Sequence, residues 1–583
     1  MNVDSLIPVL EEMAELLELD GANPFKSGAY DKAARALKDF HGDLAQVIET
    51  NALTEISGIG KGIAEKITEL HKTGRIQEMD ELKARVPAGL LEMIRIPGFG
   101  PKKAVAVHRE LGISTLTELK AACEDGRVSA LKGFGAKSTE KILAGIEQLA
   151  KYAGRFRLDT ALLAAEPILE KLRAHPAAKR AALAGSLRRG RETVKDIDFV
   201  VATESPTEVM DFFVTLPGVT SVTGKGETKS SVVLNERLGA DLRCVTPEQF
   251  PYALAHFTGS KEHNTRLRQI AKDRGWKLNE YGLFPEGSDV SLPAASEAEI
   301  HAHLGLAFVT PEMREDMGEV EAAAQNTLPT LIEKQQIRGL LHMHTTYSDG
   351  APRLEDYAVW AEANGISWMG ITDHSRSLTI ANGLSEERVL TQHREIDALN
   401  AKYAKRGVRL LKGIESDILL DGSLDYPDGF LSNFEFIIAS VHAHFNLSEK
   451  EQTLRLCRAA DNPFTTALGH LTGRLILARE GYACDQREIL RVAGRRGIAV
   501  EINANAYRLD LDWRLVRYAV EQGCKVCISP DAHALAGLDD TRYGLAMARK
   551  GWCRAEDVLN CLSADEFLRF AAAKRDSALQ NQA

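Results

Sequence analysis

Two aspartates one residue apart, Asp196 and Asp198, follow the run Gly185-Ser186-Leu187-Arg188-Arg189-Gly190 at close range. Residues two apart on a strand point the same way. Both carboxylates therefore share one face while Ile197 turns into the core. Two hard oxygen ligands at that spacing suit Mg²⁺ or Mn²⁺. Holding a pair of such ions about 4 Å apart calls for a third carboxylate. Asp241, in Gly239-Ala-Asp-Leu-Arg243 on a later strand-like run, is the natural candidate. A lone Asp-x-Asp is more often a strand end or a turn; the preceding Gly-Ser and paired arginines set this one apart.

The C-terminal part carries a second set of candidate ligands. It runs through His342 and His344, Asp349, Asp373 and His374, Glu415, His442, His470, then Asp531 and His533. Most of these end short apolar runs, the strand ends at which barrel enzymes gather their sites. One histidine alone would read as a satisfied structural residue. Five strand-end clusters of histidine or acid read as a metal centre, and mixed imidazole and carboxylate donors suit Mn²⁺ or Zn²⁺ better than Mg²⁺. Cys524 and Cys527 lie in an apolar run with no second pair nearby, so they read as strand core rather than zinc ligands.

A third pattern is an internal repeat: Ile56-Ser-Gly-Ile-Gly-Lys-Gly62, Ile96-Pro-Gly-Phe-Gly-Pro-Lys102 and Leu131-Lys-Gly-Phe-Gly-Ala-Lys137. The pairs Gly58 and Gly60, Gly98 and Gly100, and Gly133 and Gly135 permit bends that a Cβ would block. Each turn leaves backbone N–H groups free at the next helix start, a fit for phosphate oxygens. Lys61, Lys102, Lys103 and Lys137 add charge beside the turns. One such turn is weak evidence; three point to sequence-independent grip on a nucleic-acid backbone.

The elements that must position these residues follow from the text of the chain. Its 583 residues exceed one core. Residues 1–90 and 91–155 read as two all-α segments, 156–250 as an α+β sheet domain, and 251–315 as a smaller helical partner. Residues 316–337 read as a charged linker with little core, and 338–575 as a β/α barrel. Lys574–Ala583 reads as a frayed polar tail. The composition, 44% hydrophobic and 26% charged, is that of a globular protein. No secretory signal or 20-residue apolar stretch is legible, and eight scattered cysteines suit a reducing compartment. A bacterial cytosolic or nucleoid-associated monomer without a membrane span is the expectation. The net charge of −10 by itself favours a small-molecule enzyme over a nucleic-acid binder. Placement of positive charge matters more than its sum, and the motifs argue for DNA.

Extended through His256-Phe-Thr-Gly-Ser260, Asn264, Arg268 and Asn279-Glu-Tyr281, the first pattern resembles the family X DNA polymerases, the group of DNA polymerase beta, over about residues 1–312. The resemblance implies an all-α helix-hairpin-helix N-terminal region and an α+β nucleotidyltransferase palm. It implies that Gly185, Ser186 and Arg189 hold the incoming triphosphate and that Asp196, Asp198 and Asp241 bind two Mg²⁺ or Mn²⁺. Phe257 and Gly259 would shape the sugar pocket, Asn264 would meet the base and Arg268 the template. Lys26 and Tyr30 correspond to a 5′-phosphate pocket, and Lys66 to the Schiff-base lysine of a deoxyribose-phosphate lyase. His256 stands where that polymerase has a tyrosine, Gly239 where it has an arginine, and Gly62 where the family has a supporting lysine. The C-terminal histidine series resembles the PHP phosphoesterase domain, a distorted β/α barrel. Its nine ligands to three Mn²⁺ or Zn²⁺ match His342, His344, Asp349, His374, Glu415, His442, His470, Asp531 and His533, with Asp373 and His444 behind them. Together these imply a polymerase for short gaps, acting on gapped or primer–template DNA and deoxynucleoside triphosphates, with a 3′-5′ exonuclease or 3′-end-processing partner domain. The alternatives are a PHP-type small-molecule phosphatase, which leaves residues 1–312 unexplained, and a non-catalytic gap-binding protein, against which the three aspartates weigh.

Overall fold

The structure, a computed structural model, describes residues 3–38, 44–56, 58–96, 98–235 and 237–580. Ser57 and Pro97, within the first two glycine turns, lie outside the described residues. The chain forms two compact units, Met1–Ala153 and Gly154–Ala583.

The first unit is helical throughout its described residues. Helices Lys61–Thr73, Pro101–Leu111 and Ala136–Tyr152 each start immediately after a glycine turn. The first glycine of each pair has positive φ: +103° at Gly58, +75° at Gly98 and +91° at Gly133. Between the glycines, Ile59, Phe99 and Phe134 drop into the core. The sequence reading separated residues 1–90 from 91–155; one hydrophobic core instead runs from Leu6 to Ile146. The reason is the repeat itself, since a single helix pair cannot bury its own apolar face and must stack on its neighbours.

The second unit begins with a five-stranded sheet made of β1 (Arg180–Leu183), β2 (Asp196–Ala202), β3 (Val219–Lys225), β4 (Lys229–Leu234) and β5 (Leu238–Val245), in the order β1-β2-β5-β4-β3. β2 and β5 run parallel, with Asp198 opposite Asp241 and Asp196 opposite Gly239. Ile197, Phe199 and Val201 pack on helices Leu158–Ala174 and Pro206–Val214. On the opposite face, Val200 and Ala202 meet helix Phe250–Thr258. That helix leaves the start of β2, with Asp196 and Asp198, uncovered.

Seven parallel strands follow: β6 (Gly339–Met343), β7 (Trp368–Ile371), β8 (Arg409–Asp417), β9 (Phe436–Ser440), β10 (Ala467–Leu468), β11 (Ala499–Asn503) and β12 (Lys525–Ser529), hydrogen-bonded in sequence order. Just past β12, His344 N–H donates to Ala532 O (2.9 Å) and Ala532 N–H to His342 O (3.2 Å), nearly closing the barrel. Cys524 and Cys527 are both buried, Cys527 within β12 and Cys524 just before it. Among the described residues no helix is long and apolar enough to cross a membrane.

Two segments differ from their sequence reading. The 316–337 linker is packed rather than free: Val320, Ala323, Leu331 and Ile332 are buried, and Ile332 N–H donates to Cys553 O (3.0 Å). Its apolar residues are too sparse to show a period. The C-terminal tail is helical over Ala564–Gln580, with Lys574 Nζ donating to Asn462 O (2.6 Å). This helix caps one end of the barrel, where Phe567 stacks on Trp368 (4.7 Å between centroids) and meets Phe436 edge-on. Trp368 is fully buried and its indole N–H donates to Leu562 O (2.9 Å). Trp368→Ala removes the largest side chain of that layer and one end of this bond. It should cost about 3–5 kcal/mol of barrel stability, read as a lowered denaturant midpoint.

Two candidate metal centres

The first centre forms where β2 and β5 start. Their register puts Asp198 beside Asp241, and the two-residue period puts Asp196 on the same face. Burial and the neighbouring charges of Asp196 and Asp241 push the Asp198 carboxyl up to about 6, against the pull of Arg243 and Lys229. Three acids that cannot all ionise comfortably fit divalent cations, whose charge removes the repulsion. Lys229, which sequence reasoning missed, reaches Asp241 from β4 (Nζ–Oδ2 2.6 Å). Its signal was the strand period: Lys229 pairs with Arg243, two residues beyond Asp241.

Gly185 and Ser186 start a one-turn helix after β1, and Ala184 N–H donates to Asp198 O (2.8 Å). Gly185 has φ +63°, and a Cβ there would sit 2.1 Å from Asp198 Oδ2. The turn thus lies directly against the acids. The paired arginines divide their work. Arg188 bonds Glu297 through both terminal nitrogens (3.0 and 2.5 Å) and Thr258 Oγ1 (2.6 Å), inside the fold. Arg189 donates to Thr258 O (2.5 Å) and to Glu315 (3.1 Å), beside Gly259. Phe257 lies under the Arg243 guanidinium (4.2 Å). Asn264 Nδ2 donates to His256 O (2.7 Å), Arg268 Nε donates to Asn264 O (3.3 Å), and these three line one small cleft with Asn279. Gly185 is thus brought against Asp198 and Arg189 beside Gly259, while Asn264 and Arg268 line a separate small cleft, and Arg189 is already engaged by Glu315.

The second centre lies at the C-terminal ends of the barrel strands. All nine predicted ligands fall into four overlapping groups, each with its donor atoms within 4.8 Å of one another. Glu415 is the hub: Oε1 lies 3.2 Å from His342, 3.3 Å from His442 and 2.9 Å from His470, and Oε2 lies 2.9 Å from His374 and 3.7 Å from His344. Asp531 lies 3.3 Å from His344, and Asp349 lies 3.6 Å from His374 and 3.5 Å from His533. Donors around one ion at about 2.1 Å stand about 3.0–3.4 Å apart in octahedral or tetrahedral arrangements. Several of these atoms are buried without hydrogen-bond geometry, among them His342 Nε2, both His344 nitrogens, His374 Nδ1 and Glu415 Oε2. Atoms this close that do not bond one another point at shared positions between them. His342 and Asp531 also hold strained backbone, with φ of +68° and +52°.

Carboxylates behind the cluster orient it. Glu501, which sequence reasoning missed, meets His342 Nδ1 at 2.5 Å and accepts from His470 N–H (2.7 Å). Asp417 meets His442 Nδ1 at 2.5 Å. Each pairing turns the opposite imidazole nitrogen toward Glu415, the usual support for a metal-binding histidine. Asp373 accepts from Thr345, Ser348 and Gln392, fixing the loop that carries Asp349. His444 departs from expectation: it is exposed on the loop after His442. Arg508 adds a cation at the rim, 3.3 Å from Asp531 Oδ2.

In the N-terminal unit, Tyr30 is buried and Lys26 pairs with Glu78. Lys66 pairs with Glu69 (3.1 Å) and Glu78 (3.7 Å). Burial works to lower the Lys66 ammonium, but these two acids outweigh it and raise it. An amine nucleophile needs the opposite shift. The glycine-turn helices start with Gly60, Gly100 and Gly135 at the cap, none with a side-chain bond to the first turn. Gly185→Ala forces its methyl into Asp198. It should cut any metal-dependent activity of the palm about a hundredfold, as misplacement by an ångström does, while hydrolysis at the barrel stays intact in the same preparation.

Four family models match the chain: a helix-hairpin-helix domain over residues 1–76, a SAM-like helix-hairpin-helix tandem over 90–148, the DNA polymerase beta thumb over 253–315 and the PHP domain over 341–505. The chain is 43% identical over 565 residues to the DNA polymerase/3′-5′ exonuclease PolX of Bacillus subtilis, covering 97% of this chain and 98% of that protein. It is 24% identical over 345 residues to DNA polymerase lambda of Rattus norvegicus, covering 52% of this chain and 55% of that one. Against Repair DNA polymerase X of African swine fever virus it is 32% identical over 139 residues, 22% of this chain and 78% of that one. The end-to-end match to the first of these means that the chain belongs to the PolX family of DNA polymerase/3′-5′ exonucleases.

Proposed function

We propose that this protein fills short gaps in DNA at the palm and trims or cleans 3′ ends at the barrel. The observation that carries the reading is the presence, within one compact unit, of a three-aspartate strand face and a nine-ligand histidine–carboxylate cluster. Asp196, Asp198 and Asp241 would hold two Mg²⁺ or Mn²⁺, which when bound would supply positive charge against the triphosphate and the primer 3′-hydroxyl. Gly185, Ser186 and Arg189 hold the triphosphate so that its phosphorus stands in line with that hydroxyl. Phe257 and Gly259 bound the sugar, Asn264 faces the base, and Arg268 faces the template.

At the barrel, His342, His344, Asp349, His374, Glu415, His442, His470, Asp531 and His533 hold up to three Mn²⁺ or Zn²⁺. These supply a hydroxide-like nucleophile at neutral pH when bound. Glu501 and Asp417 keep the ligand rings oriented, and Arg508 offers its charge to the phosphodiester. Gly58, Gly60, Lys61, Gly98, Gly100, Lys102, Gly133 and Gly135 grip the DNA backbone, and Lys26 and Tyr30 take a 5′-phosphate. For Lys66 to act as a lyase nucleophile, that phosphate must draw Glu78 away. The protein works as a monomer in the bacterial cytosol, a reducing compartment that its eight unpaired thiols suit.

Extension of a gapped duplex with and without a 5′-phosphate, with hydrolysis of the same 3′ end, tests the assignment. Asp196→Ala should abolish extension and leave hydrolysis unchanged; His344→Ala should do the reverse. Equal extension by Asp196→Ala and wild type would reject the palm assignment. Borohydride trapping on an abasic 5′ end tests Lys66: Glu78→Gln should raise the yield and Lys66→Ala abolish it.

A further inference from the structure

The palm's candidate triphosphate cradle is held from behind by the barrel domain. Lys550, at the end of helix Thr541–Lys550, has its ammonium fully buried among palm-side groups. It donates to Arg189 O (2.9 Å), Glu312 O (3.3 Å) and Glu315 Oε1 (2.6 Å), and lies over the Trp513 ring (4.6 Å). Glu315 is shared by three cations: Lys550, Arg189 (3.1 Å) and Arg191 (3.1 Å). The same loop is gripped again at Glu192, by Trp513 Nε1 (3.1 Å) and Arg514 (3.0 Å) of the barrel. Gly190 packs where a Cβ would stand 3.3 Å from Ala546.

One carboxylate cannot neutralise three cations. With Lys550 taking the shortest bond to Glu315, Arg189 is left partly uncompensated beside the Gly185–Ser186 turn. We propose that Lys550 is a positioning residue for the polymerase reaction: from the phosphoesterase domain it occupies Glu315 and pins the Arg189 carbonyl, so that the Arg189 guanidinium is free to exchange Glu315 for the phosphates of an incoming nucleotide. Without Lys550, Glu315 closes fully on Arg189 and competes with the triphosphate. Burial pulls the Lys550 ammonium down to about 8, with Glu315 opposing, so it still carries most of its charge at neutral pH. This inference rests on the reading of Arg189 as a triphosphate ligand.

The test is steady-state gap filling by the full chain with one deoxynucleoside triphosphate varied. Lys550→Met should raise the nucleotide KM about tenfold, the effect of one lost charged contact, with kcat changed far less. Lys550→Arg should recover most of the loss. Exonuclease activity at the barrel should be unchanged in both and reports that the chain is folded. Lys550→Gln, which keeps a donor for the buried carbonyls, gives the same readout should Lys550→Met not fold. Adding Lys550→Met to Arg189→Ala should raise KM no further, because the two act through one interaction. An unchanged KM in folded Lys550→Met and Lys550→Gln, or an undiminished effect in the Arg189→Ala background, overturns the positioning role alone. A normal KM in Arg189→Ala by itself overturns the triphosphate reading, and the proposal with it.

Discussion

Charged groups crowded into small spaces are the constraint around which this molecule is arranged. At the palm, parallel pairing of β2 with β5 forces Asp198 beside Asp241, and backbone hydrogen bonding of the ladder holds them there against their repulsion. At the barrel, Glu415 sits among five imidazoles with Asp349 and Asp531 close by. The palm acids repel one another, whereas at the barrel burial is outweighed by His442, His342 and His374, which hold the Glu415 carboxyl well below its usual range; both sets lie on strands whose neighbours are buried apolar residues. The cores give the rigidity that keeps repelling groups in place.

Support for the centres comes from far along the chain. Asp373 gathers Thr345, Ser348 and Gln392 and so sets the loop of Asp349. Glu501 lies 159 residues from the imidazole it orients. The ion pairs Arg188–Glu297 and Arg314–Glu297 tie the palm's Gly185–Gly190 turn to helix Glu297–His303. A buried pair of this kind is weak evidence of stability, because desolvation offsets much of its attraction. Its effect here is geometric: it takes Arg188 inward and leaves Arg189 on the other side of the turn.

The parts of the site legible in the sequence are those set by local period. Asp196 and Asp198 declare a shared face by their spacing, and His342 with His344 do the same; strand-end position marks the rest of the nine candidate ligands. Asp417 carried the same signal, two residues after Glu415, and was overlooked among apolar neighbours. Glu501, Glu315 and Lys550 had no local signature, because their partners come from distant elements and only the fold pairs them. The same cause hid the packing of the 316–337 segment, whose Val320, Ala323 and Leu331 join the core of residues 252–313, and of the C-terminal helix, whose contacts lie on the barrel rather than along its own sequence. The Lys66 environment was invisible for a related reason: Glu78 belongs to the next helix.

The repeated glycine turns change how an acidic protein can hold a polyanion. On the proposed reading, part of their hold comes from peptide amides, uncharged and at the helix starts, and contact through an amide, unlike contact through Lys61 or Lys102, expels no condensed counterion. Attachment by such groups weakens gently as ionic strength rises, whereas a lysine- and arginine-rich surface loses its hold steeply. On the proposed reading, the part of the grip made by these turns is built into the backbone, where side-chain substitution at the surface alters it least.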